Sequence, residues 1–260
     1  MRRDPYLPVV LMLASLLVLQ PTSSIAGDPD AKKEEMESAF LQLSLFNPIQ
    51  LVNERKSISG LRLNLVYAKN ADISGVDLGL GLNNVSGNVT GIQIAGVWNG
   101  ADGTVKGIQI VGLGNNAGSL SGVQIAGFGN EVSRDTTGVQ LGLVMNLVLG
   151  EMNGIQVSAF NNVSTILGGS GGAKLSVTGV QIGLANLARG LSGVQIGLFN
   201  ASEDSTHGVQ FGLFNWAHKV RGVQIGVYNS CKSLEGVQLG LINYAEESSI
   251  PYLPILRASF

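Results

Sequence analysis

The sequence predicts an all-β repeat fold, a β-solenoid of about twelve coils of 14–16 residues. Three observations carry that expectation: a glycine-opened unit recurs twelve times, apolar residues alternate with period two inside each unit, and from Gly91 onward charges fall in the connectors between units. The unit G-[VIL]-x-[ILVF] opens at Gly60, Gly75, Gly91, Gly107, Gly122, Gly138, Gly154, Gly179, Gly193, Gly208, Gly222 and Gly236, at spacings of 15, 16, 16, 15, 16, 16, 25, 14, 15, 14 and 14 residues. Apolar residues one, three and often five positions after each glycine mark a strand, whereas a helix would lose about 1 kcal/mol for every interior glycine.

The elements follow in chain order. Residues 1–26 carry Arg2 and Arg3, an apolar run from Leu7 to Leu19 and a small, polar stretch ending at Ala26, the pattern of a secretory signal peptide. As a helix that run would reach only about 20 Å, short of the ~30 Å hydrocarbon core of a bilayer. Residues 27–37 form a polar spacer, and 38–59 an N-terminal strand or cap. The repeat domain spans 60–244, and the 25-residue interval contains GGSGGAK, the composition of a flexible loop, so a loop insertion is expected over 161–178. Residues 245–260 form a C-terminal cap or closing strand.

The insertion divides the repeats into two halves. In the second half the units read GVQIGLFN, GVQFGLFN, GVQIGVYN and GVQLGLIN, with Gln two and Asn seven residues after the glycine. The first half, as in GIQIAGVWN and GVQIAGFGN, places Asn at eight, and the extra residue implies a bulge or a shifted turn. Units from Gln93 to Gln238 keep the glutamine, while the first two carry Arg62 and Asp77 there. Coils in parallel register would stack like on like at about 4.8 Å. Asn186, Asn200, Asn215, Asn229 and Asn243 then form one structural ladder, and Gln181, Gln195, Gln210, Gln224 and Gln238 a second. The asparagines read as internal hydrogen-bonding groups; the glutamines read either that way or as a solvent-facing binding strip. Unbroken alternation would put the position-seven Asn on the same face as Val and Ile.

The alternative is an antiparallel outer-membrane-type β-barrel, each unit contributing one strand to a closed sheet with room for a pore. The closing YLPILRASF, which ends on Phe260 with alternating apolar residues, favours it. The spacing lacks the alternation of short turns and long loops, and aromatic residues at 6% supply no girdle.

The opening LQLSLFNPIQLV and GLRLNLVYAKN, the serial GVQIGLFN units and the closing GVQLGLINYAEESSIPYLPILRASF together resemble the leptospiral-type surface repeat-containing proteins of bacteria, over about residues 40–260. That resemblance implies an exported, envelope-associated protein and brings no catalytic residues with it. The spacing Gln210, Gly212, Asn215 and Ala217 is also similar to that of curli repeats, which are longer and whose pattern the first half here does not keep.

Chemistry is sparse. Among 260 residues there are 36 glycines, 45% hydrophobic and 13% charged residues, and a net charge of −2 without a basic cluster, which argues against nucleic acid. Cys231 is the single cysteine, so no internal disulfide is available; it occupies a position held elsewhere by Ala188, Ala217 or Ala245 and reads as a small buried filler. His207 and His218 lie in connectors at a spacing that fits no helical metal motif, and in GGSGGAKLS the lysine follows Ala173, which spoils a phosphate loop. The expectation is a non-catalytic structural or binding module of a bacterial cell envelope, at the cell surface, outer membrane or periplasm. No cofactor, metal or catalytic residue is assigned, and the partner is left unknown.

Overall fold

The computed structural model describes residues 38–163 and 176–260, so the expected signal peptide (1–26), the expected spacer (27–37) and residues 164–175 of the expected insertion lie outside the described residues. The chain winds as a β-solenoid whose consecutive coils pair in parallel register, like residue on like. Gly208, Val209, Gln210 and Phe211 stand directly over Gly222, Val223, Gln224 and Ile225, and Asn200 over Asn215. Parallel pairing at every described step of the repeat domain sets the antiparallel barrel aside. The inward side chains fill the space that a pore would need.

Each coil has two strand segments. The front segment carries G-V-Q-I, for example Thr136–Gly142, and the back segment carries the asparagine, for example Met145–Val148. Between them the chain turns sharply, at Leu143 and Val144 in that coil and at Gly197 and Leu198 in a second-half one. In several coils the back segment runs on without a break into the next front segment, as in Trp98–Val111 and Phe199–Phe211. The extra residue of the first-half units falls in the sharp corner, where Ala95, Val111 and Ala126 are tucked inside. It shifts the turn and leaves both ladders in register.

That corner also corrects one sequence expectation. Alternation does not continue through it, so Asn215 points inward although Val209 and Phe211 of the same unit point out. The turn resets the parity, and the asparagine joins Gln210 in the interior.

Glycine opens every unit and recurs later in ten of the twelve, the exceptions being the units with Asn64 and Ser158. All twelve unit-opening glycines have φ between 131° and 155°, a region that L side chains avoid. A Cβ on Gly122 would also overlap the carbonyl oxygen of Gly107 in the coil below. Later in the unit the φ angles are ordinary and the constraint is space, because a Cβ on Gly226 would lie 2.6 Å from the Asn215 amide nitrogen.

The interior is divided lengthwise. The gentle corner is apolar, lined by columns that include Ile58, Ile73, Val89, Val105, Leu120 and Met152, with Val85, Ala101, Ala117 and Val132 opposite. A layer with buried Ser202 and Thr206 separates this core from a smaller one at Ala217, Val220, Cys231 and Ala245. The other half of the interior is filled by the amide side chains of Gln and Asn.

Both ends of the stack are covered. At the start, strand Ala39–Phe46 pairs in parallel with Ile58–Asn70 and folds back on the short strand Ile49–Gln50. At the finish, Tyr252–Ser259 lies antiparallel along Tyr228–Ala245, with Pro254 inside it. Within the segment 161–178, Asn161–Val163 and Ser176–Thr178 are strand, because Asn161 and Val163 keep their interior columns. A covered edge cannot recruit another chain's backbone. Deleting Glu246–Phe260 is therefore expected to give concentration-dependent growth beyond the size of the full-length particle; unchanged light scattering would show that this strand does not guard the edge.

Candidate functional site

The candidate functional elements are the interior ladders and the outer surface that they create. Each asparagine from Asn83 to Asn229 donates from Nδ2 to Oδ1 of the asparagine one coil further on, at 2.8–3.1 Å. Its second N–H reaches the backbone carbonyl at the end of the next front segment, as Asn215 does to Ile225 at 2.9 Å. A short amide suits this place, because it must serve the corner backbone and the next amide together. Asn186, Asn200, Asn215, Asn229 and Asn243 all belong to this ladder.

The glutamines run the opposite way. From Gln238 back to Gln109 each Nε2 donates to Oε1 of the glutamine one coil earlier, at 2.7–2.9 Å. Their extra methylene lets the amide cross the interior, so that Gln210 Nε2 also approaches the Trp216 carbonyl on the back segment at 3.3 Å. Gln181, Gln195, Gln210, Gln224 and Gln238 are all fully buried, which removes the solvent-facing strip as a use for them. Buried amides left unpaired would cost about 1–3 kcal/mol each, and the ladders satisfy them coil by coil.

The glutamine ladder ends in charge. Gln93 Nε2 donates to Asp77 Oδ2 at 2.9 Å, and Arg62 grips the same carboxylate through Nε at 2.7 Å and Nη2 at 2.6 Å. Arg62 Nη1 goes on to the Asn70 side chain and the Asn84 carbonyl, and both charged residues are fully buried. A carboxylate therefore sits at the donor end of the aligned amide dipoles. At the other end Arg257, buried and in register with Gln238, brings a cation to the acceptor end and donates to the Ile250 carbonyl. The arrangement is the ladder equivalent of an acidic group at a helix N-terminus and a basic one at its C-terminus. Sequence reading noted Arg62 and Asp77 only as departures from glutamine. Their opposite signs on consecutive units were the available signal.

The polarity of the shell is inverted relative to the ladders. With Gln and Asn inside, the Val, Ile and Leu residues of every front segment face out: Ile94 is 38%, Ile125 37%, Ile196 39% and Phe211 53% exposed. The sharp corner adds Leu80, Leu143 and Leu241, and Phe199 and Phe214 stack there with ring centroids 5.1 Å apart. Ion pairs occupy the other edge, at Arg189–Asp204, Arg221–Glu235 and Lys232–Glu247.

His207 and His218 are exposed and stand apart from each other. Among the described residues no group of three or more His, Cys, Asp or Glu side chains could hold a metal ion, and no helix is long and apolar enough to cross a membrane. Cys231 is buried at the small-residue column beneath Ala217. No family model, no curated protein and no solved structure matches the chain.

Asn215→Ala removes an acceptor from Asn200 and a donor from Asn229, and is expected to cost about 1–3 kcal/mol in denaturant unfolding. In a double-mutant cycle, Asn215 and Asn229 should couple; additivity would deny the ladder an energetic role. Burial pushes the Cys231 thiol up to about 11, against the opposing pull of Arg257 and a hydrogen bond from Gln238. Because the folded pKa is raised, the unfolded chain ionises first, so this thiol withdraws stability as pH climbs from about 9 toward 11. Native protein should resist a thiol-specific disulfide reagent at pH 8, and labelling as fast as in denaturant would contradict that.

Proposed function

We propose that the chain is an exported, non-catalytic structural module of a bacterial cell envelope, acting by binding through its outer apolar face. The observation that carries this reading is the uninterrupted Val/Ile/Leu surface of the front sheet, two outward apolar positions in every coil from Leu61 and Leu63 to Val237 and Leu239. Apolar patches of more than a few hundred Å² on a soluble chain mark interaction surfaces. Strands stacked at about 4.8 Å carry this one along the whole stack. A rigid rod with an apolar face suits adhesion and assembly, and its hydrogen-bonded interior leaves no room for a substrate. The signal-peptide pattern of residues 1–26 and the resemblance to leptospiral-type surface repeat proteins support the proposed location at the cell surface, outer membrane or periplasm.

The test is fractionation of a diderm bacterium expressing the chain. The protein is expected in the envelope, shortened at its N-terminus, and Leu13→Arg in the apolar run should retain it in the cytosol. Substituting Ile94→Glu on the outer face should release exported protein from the envelope fraction. Cytosolic accumulation of the intact wild-type chain would overturn the location, and undiminished envelope retention of the Ile94 variant would overturn the role of the face.

A further inference from the structure

We propose that the front sheet's outer face is the interface of a homodimer in which two copies pack face to face with their solenoid axes antiparallel. This deepens the envelope-module reading by naming the occupant of the apolar face.

Three features point to a second copy. First, the front sheet is all parallel through the repeats, and parallel sheets are as a rule covered on both faces. Here the inner face is covered by the back segments and the outer one is bare. The bare face also continues over both ends, through Leu41 and Leu43 at the start and Leu256 at the finish. Secondly, twelve coils at about 4.8 Å give a strip of roughly 58 Å, and a width of about 12–15 Å makes it roughly 700–870 Å². That is the ~800 Å² per partner of a stable, specific protein interface. A flat strip of β-branched residues is the kind of surface that packs sheet on sheet at about 10 Å.

The third feature fixes the orientation. The residue immediately before each unit glycine also points outward and forms a column along one side of the apolar strip. That column is mostly Ser and Thr, with Lys106, Asn153, His207, Arg221 and Glu235 as the exceptions. A two-fold axis running along the strand direction, between the coils opened by Gly138 and Gly154, sets this column against itself with coil order reversed. Lys106 then faces Ser192 of the second copy, His207 faces Thr90, Arg221 faces Ser74 and Glu235 faces Ser59. Every ionisable group meets a hydroxyl, and no like charges meet. A two-fold along the solenoid axis would instead press Lys106 and Arg221 against the corner leucines, where burying a charge is costly. A lipid surface is the weaker occupant, because the column beside the strip sets only Lys106 and Arg221 against Glu235, far short of the basic cluster of about 4–8 Lys/Arg that holds headgroups.

The test is sedimentation equilibrium of the purified chain with wild-type and variant proteins. The wild type should give twice the chain mass at micromolar concentration. Ile125→Glu, with an unchanged circular dichroism spectrum, should raise the dimer dissociation constant at least 100-fold. Ser192 is exposed, so its variants keep the test sound if a charge in the strip harms folding. Ser192→Glu, facing Lys106 of the second copy, should tighten the dimer about threefold at low salt, and Ser192→Lys should loosen it by a similar factor. A wild type that stays monomeric at 100 μM, an unaffected Ile125→Glu dimer, or Ser192 variants that respond alike or with the two signs reversed would each overturn the proposal. A monomer that floats with neutral phosphatidylcholine vesicles would overturn it in favour of lipid. A monomeric chain whose Ile94 variant is nevertheless released from the envelope keeps the envelope reading and loses the dimer; a dimeric chain that is never exported does the reverse.

Discussion

The spacing between coils governs this molecule. Parallel strands stand about 4.8 Å apart, which is also the rise at which identical primary amides hydrogen-bond head to tail. Once Gly stacks on Gly and Gln on Gln, the amides along both ladders find their partners one coil away, and the polar interior becomes self-consistent. The same spacing forbids a Cβ at the unit-opening glycines, since each sits against a backbone carbonyl in the strand below, that of Phe40 for Gly60 and that of the preceding unit glycine for the rest. Register, interior chemistry and glycine content are thus consequences of one distance.

A one-way chain of amides needs something at its ends. The glutamine ladder donates toward the N-terminus and finishes on Asp77, which Arg62 neutralises, while Arg257 stands at its acceptor end. The asparagine ladder donates toward the C-terminus, so the two arrays oppose each other. Asn243 ends it by turning back to the Gly240 carbonyl. Removing one partner of a buried pair such as Arg62 and Asp77 costs on the order of 3–5 kcal/mol in comparable proteins. The pair therefore secures the first coils as well as ending the ladder.

Placing amides inside drives apolar side chains out. Alternation along a strand gives each segment one inner and one outer face, and with the inner one committed to Gln, Val and Ile are left facing outward. The apolar core is confined to the gentle corner, and the outer strip of the front sheet is a second apolar surface awaiting a cover. In this fold the chemistry of the interior and the capacity for association have a single origin.

The sequence by itself determined the coil count, the register and both amide ladders, because a fixed glycine spacing with Gln and Asn at constant offsets can satisfy itself only by stacking like on like. It also determined the small-residue place of Cys231. It did not determine which face was inside: a period of two is symmetric between the faces, and composition favours burying Val and Ile over Gln. The tertiary structure decided that, by turning the chain at the sharp corner so that Asn215 joins Gln210 rather than Phe211, and by bringing the back segments within reach of the glutamine amides. It also turned Arg62, Asp77 and Arg257 from isolated charges into the ends of a ladder, because their column positions have meaning only when coils lie over one another.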